Sequence, residues 1–111
     1  IHTDAIRDNL IPKTITKQQE AFVYANEADL LNVALFGITA KIWKENNPNK
    51  KGNIRDYATL EQLVVLSNME SVNALLIRQG VSQSERLVQL NQVAIAQMKS
   101  LLENASMKKI K

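Results

Sequence analysis

Residues 59–104 read TLEQLVVLSNMESVNALLIRQGVSQSERLVQLNQVAIAQMKSLLEN, and this stretch decides the fold. Thr59 has a side chain that caps helix N-termini, and Gln62 three positions later can complete a capping box with it. From there Leu60, Leu63, Val64, Val65, Leu66, Met69, Val72, Leu75, Leu76 and Ile77 recur at helical spacing. They cover more than one stripe, which predicts a central helix to Gln79 with neighbours on two sides. Gly80 can adopt the left-handed conformation that closes a helix. Ser82 and Glu85 form a second capping-box pair, opening a helix from Gln83 to about Asn104. Leu87, Leu90, Ala94, Met98 and Leu101 make its apolar face, widened by Val88, Ile95 and Leu102. Only Val81 and Ser82 separate Gly80 from this helix, so the two should pair as a long antiparallel hairpin.

Upstream the same signals recur. Ile1 to Leu10 can form a short helix, with Ala5, Ile6 and Leu10 on one side, ended by Pro12. Thr16 with Gln19 opens a helix at Lys17 that carries Phe22, Val23, Leu30, Leu31, Ala34 and Leu35 to Gly37. Asn26 with Asp29 offers a second cap, so a break or a bend near Asn26 is expected. Thr39 caps a short helix bearing Trp43, which stops before Pro48. Asn46 to Asn53 is rich in Asn, Pro, Lys and Gly without periodicity and reads as a loop. No segment alternates with period two. The fold class is all-α: a compact bundle of about five helices in a single domain over residues 1–104. Residues 105–111 form a basic tail expected to be flexible.

The 111 residues suffice for one core, and a hydrophobic fraction of 45% is ordinary for a globular chain. Aromatics at 5% make a base-stacking surface unexpected. The absence of cysteine excludes disulfides and thiolate chemistry, and fits a cytoplasmic location. No apolar run approaches the roughly 20 residues of a membrane span, so no membrane partner is expected. The first residue is Ile1 rather than Met, so a piece of a longer protein is expected.

The net charge of +3 is unevenly placed. Residues 37–55 hold five basic side chains (Lys41, Lys44, Lys50, Lys51 and Arg55) against Glu45, a net +4. Residues 99–111 hold four basic side chains against Glu103, a net +3. The first of these segments is either a solvated face or a set of phosphate contacts. Gly37, Ile38 and Thr39 fit the turn of a helix-turn-helix that would present Lys41, Lys44 and Asn47 outward. An ordinary corner between two helices with a glycine cap fits equally well.

Catalytic signals are missing. His2 is the single histidine and no phosphate loop, nucleophile elbow or dinucleotide fingerprint occurs. The hydroxyl residues are largely accounted for as caps, and the carboxylates are scattered. No enzyme, cofactor, metal or small-molecule substrate is expected. Trp43 is either a core residue or a partner-binding anchor. Asn91, Gln92 and Gln97 are expected to face solvent. The wide apolar face of the last helix, Leu87 to Leu101, makes a homo-oligomer seam a candidate there.

Three stretches carry a family resemblance: Ile1-His2-Thr3-Asp4-Ala5-Ile6, Tyr24 to Gly37, and Lys51 to Thr59 followed by Glu61-Gln62-Leu63. Together they resemble the C-terminal region of KilA-N domain proteins of bacteria and their phages. The similarity covers all but the basic tail. It implies that DNA is bound by an N-terminal module outside this chain, and that the present region is an accessory. Ile38 and Ile42 depart from the family pattern, where polar or charged residues stand, which weakens a DNA-facing role for the short helix.

The leading expectation is therefore a non-catalytic accessory domain for oligomerisation or protein-partner binding. The alternative is direct nucleic-acid binding through residues 41–55.

Overall fold

The computed structural model describes residues 10–20 and 26–110, excepting the side chains of 105–110. Residues 1–9 of the expected helix over Ile1 to Leu10, His2 among them, and the positions of Phe22 and Val23, lie outside the described residues, while Leu10 is not helical. Within them there are five α-helices and no strand: α1 (Lys17–Glu20), α2 (Glu27–Phe36), α3 (Ala40–Asn46), α4 (Leu60–Arg78) and α5 (Gln83–Ile110). A single 3-10 turn, Ile54–Tyr57, lies between α3 and α4. The all-α bundle ending in a helix hairpin is what the sequence predicts.

The caps act where their side chains predict. Thr16 Oγ1 accepts the Gln19 amide at 3.2 Å, and Gln19 Oε1 accepts the Thr16 amide at 2.9 Å. Asn26 is extended, and its side chain accepts the Ala28 amide at 2.8 Å, so α2 starts anew at Glu27. Thr59 and Gln62 form the reciprocal pair that opens α4. Ser82 Oγ accepts the Glu85 amide at 3.3 Å.

The hairpin turn is a Schellman motif. Gly80, at φ 77°, follows the helix; the Val81 amide bonds back to the Leu76 carbonyl and the Gly80 amide to that of Ile77. Val81 also packs against the core cluster to which Leu76 belongs, and an apolar contact of this kind usually accompanies the turn.

The order of the layers differs from expectation. The central helix is α5, which packs against α4, α2 and α1. Leu87, Leu90, Ala94 and Met98 are wholly buried between Leu30, Leu31 and Ala34 of α2 and Val65, Leu66 and Met69 of α4. Each fully buried Leu contributes about 1.5–3 kcal/mol relative to an exposed one. Helix α4 has one buried face and one open face, because only its Val65, Leu66, Met69, Leu76 side meets the bundle. The α5 helix also extends to Ile110 rather than ending near Asn104. Nothing after Asn104 interrupts it, since neither Gly nor Pro follows.

A smaller second core joins α3 to the 3-10 turn. Trp43 and Ile54 are buried together, with Phe36, Ile38, Ala40 and Tyr57 around them. The Trp43 and Tyr57 rings lie 5.1 Å apart between centroids. The sequence reading missed this turn, although Asn53 and Asp56 have the spacing of a capping box and form one.

Candidate interaction surfaces

The five basic residues of segment 41–55 fall into two groups. Lys41, Lys44 and Lys51 are exposed, and Lys50 and Arg55 are half-buried. Lys44, Lys50 and Arg55 also make contacts within the chain. Lys44 Nζ donates to the Lys50 carbonyl, and Lys50 Nζ sits 5.0 Å from the centre of the Tyr57 ring. Arg55 is half-buried; its Nε donates to Asn32 Oδ1 at 3.3 Å, and its Nη2 is closed off from solvent. Tyr57 in turn donates its hydroxyl proton to the Lys51 carbonyl at 2.7 Å. These contacts fold the basic loop onto the second core.

The helix-turn-helix geometry is equally specific. Gly37 takes φ 81°, its amide bonds the Val33 carbonyl, and Thr39 Oγ1 accepts the Ile42 amide at 3.2 Å. The second helix of the pair, α3, has seven residues. Trp43 is turned inward at 3% exposure, while Ile42 is exposed. Asn47, expected to point outward, donates its side-chain amide to the Trp43 carbonyl at 2.8 Å. Trp43 therefore belongs to the core and is not available as a partner anchor.

The apolar face of α5 is not available either. Leu87, Leu90, Ala94 and Met98 are at 0% exposure, and Leu101 is packed against the core. The surplus counted in sequence is consumed by α2 and α4, two neighbours rather than one. Asn91, expected in solvent, is also buried. Its Oδ1 accepts the Ile15 amide at 3.0 Å, and its Nδ2 donates to the Lys13 and Ala34 carbonyls at 2.9 and 3.0 Å. One side chain thus ties residues 13–15 to the end of α2, where Ala34 presents a carbonyl without an intrahelical partner. Gln92 is exposed as expected, and Gln97 is half-buried, accepting from Asn68 at 2.9 Å.

The remaining polar cluster lies where α2 begins. The Glu27 carboxylate accepts from Asn73 Nδ2 and Gln83 Nε2, both at 2.9 Å, and is ion-paired with Arg86. Arg86 also donates to Asn73 Oδ1 at 2.8 Å and to the Val81 carbonyl at 3.0 Å. The Arg86 hydrogen bond outweighs partial burial, and with help from Asn73 and Gln83 it holds the Glu27 carboxyl at about 2. Both carboxylate oxygens are occupied, so this is a clamp joining α2 to the α4–α5 turn.

Glu27 also lines a shallow cleft of about 280 Å³ with Arg55, Glu70 and Asn73. A carboxylate held ionised and fully engaged there is unsuited to general acid chemistry. A second groove, about 500 Å³, runs between residues 12–19 and Leu35 to Ile38, with Lys13 the one ionisable residue among its described lining. Among the described residues no group of three or more His, Cys, Asp or Glu could hold a metal ion. Nor is any helix among them long and apolar enough to cross a membrane.

The open face of α4 is the feature that sequence reading did not separate from the core. Leu60, Leu63, Val64 and Leu75 are all exposed, with Leu60 at 74% and Leu75 at 54%. They lie half a turn away from Val65, Met69 and Leu76 on the buried side.

No known family, curated protein or solved structure matches this chain.

Proposed function

We propose that this chain is a non-catalytic helical accessory domain of a phage-type, KilA-N-like DNA-binding protein, serving oligomerisation or protein-partner binding in the cytoplasm. The observation that carries the reading is the exposed apolar face of α4, lying opposite the face that the helix buries in the core. Exposed apolar surface concentrated on one helix face is a mark of protein–protein contact. Glu27 and Arg86 form a clamp, Lys44 and Arg55 hold the loop to the chain, and Asp56 caps the 3-10 turn. DNA is then bound by an N-terminal module of the parent protein, as the family resemblance implies.

The alternative is direct nucleic-acid contact by residues 41–55. Its support is reduced by the in-chain engagement of Lys44, Lys50 and Arg55. Titrating the chain with duplex DNA at low salt, followed by amide NMR shifts, separates the two readings. The accessory reading expects no saturable change at Lys41, Lys44 or Lys51. Saturable shifts there that vanish with added salt and with Lys51→Glu would overturn it in favour of the alternative.

A further inference from the structure

We infer that the open face of α4 is a two-fold seam on which a second copy of this chain packs antiparallel. This deepens the accessory-domain reading by naming the partner. The face carries no basic residue from Leu60 to Leu75, with Leu60, Leu63, Val64 and Leu75 arranged around Ser67 and Ser71, all exposed, and with Glu70 at its edge beside Leu63. Arg78, also exposed, closes its C-terminal end.

The sequence of this face is self-complementary under reversal. A copy laid antiparallel about the midpoint of Ser67 and Ser71 sets Leu63 opposite the partner's Leu75. Val64 then meets the partner's Ala74, and Ser67 the partner's Ser71. Large side chains face one another towards the ends, while small ones meet at the centre and let the axes approach to about 8 Å. This reciprocity, residue i on j and j on i, is what an isologous interface requires.

Charge selects the direction. In the antiparallel arrangement Arg78 covers the partner's Leu60 with its aliphatic stem and brings its guanidinium to the end bearing Asp56 and Glu61. A parallel copy would set Arg78 against Arg78 and align the two helix macrodipoles. Nucleic acid does not fit this face, which offers no cation between Leu60 and Leu75. A membrane surface does not fit it either, since that would call for flanking lysines and arginines where Glu61 and Glu70 stand.

Sedimentation equilibrium of the full chain from about 10 μM to about 1 mM tests the proposal. The expected result is a monomer–dimer equilibrium that Val64→Glu or Leu75→Glu weakens by at least about tenfold. Both positions are exposed, so circular dichroism of each variant should match the parent. Because the chain has no cysteine, orientation can be read by oxidation. Leu63→Cys mixed with Leu75→Cys should cross-link, whereas Leu60→Cys should not link to itself, its two copies lying well apart across the axis.

A chain that stays monomeric throughout overturns the inference, as does a dimer indifferent to Val64→Glu. A Leu60→Cys homodimer overturns the antiparallel arrangement. A monomeric chain that also ignores DNA would leave the accessory reading standing with another protein as partner, so the two failures are distinguishable.

Discussion

Arg86 Nη1 donates to Asn73 Oδ1 at 2.8 Å, with both side chains buried between the two helices of the hairpin. The same guanidinium is ion-paired with Glu27 at the start of α2, so three helices meet at one cation. A buried Arg is tolerated because its donors are satisfied by a carboxylate, an amide oxygen and the Val81 carbonyl.

Replacing Arg86 with Met keeps much of the packing but removes one donor from the Glu27 carboxylate and leaves Asn73 Oδ1 and the Val81 carbonyl without the Arg86 bond. The Glu27 side chain is 40% exposed and can be rehydrated, which limits the loss. Destabilisation of about 2–3 kcal/mol is expected, read from urea unfolding midpoints.

The same clamp sets a pH dependence. Glu27 is lowered from 4.5 to about 2 in the folded chain, chiefly by its hydrogen bond from Arg86. A lowered folded-state value means the unfolded chain takes up the proton first as pH falls. The clamp's contribution is therefore intact above about pH 4.5 and is lost as pH falls towards about 2. Urea midpoints of the wild-type chain should decline through this window, and those of Glu27→Gln should decline less.

Asn91→Leu tests the anchor between α5, α2 and residues 13–15. The substitution preserves volume but leaves two carbonyls and one amide unpaired, costing about 2–4 kcal/mol. Amide hydrogen exchange at Ile15 should accelerate more than at core positions of α4. Unchanged Ile15 protection would show that the anchor is dispensable.

Two glycines should respond unequally to Ala. At Gly37, φ is 81° but a Cβ would meet nothing within 4 Å, so a loss of about 1 kcal/mol is expected. At Gly52, φ is 88° and a Cβ would collide with the Asp56 carboxylate, which caps the 3-10 turn. Gly52→Ala should therefore cost more, and Trp43 fluorescence should report disturbance of the second core.

How much of this was legible beforehand depends on the range of the interaction. Thr59 with Gln62, Ser82 with Glu85, and Gly37 and Gly80 at helix ends act within a few residues, so their roles follow from local spacing. They determined the α2, α3, α4 and α5 helices and the hairpin. The 3-10 turn was missed because Asn53 lay in a polar stretch whose loop composition masked its pairing with Asp56.

The sequence by itself thus determined helices α2 to α5, apart from where α5 ends, and the hairpin. Only the tertiary structure decided which apolar stripe each helix would bury. Leu87 and Leu63 are equally good helix-face leucines in sequence, yet one is enclosed and the other open. Asn91 could not be recognised as an anchor because its partners lie 57 to 78 residues away. Burial, unlike capping, is a property of what the folded chain brings alongside. In this chain it filled the α5 face from within and left the far face of α4 uncovered.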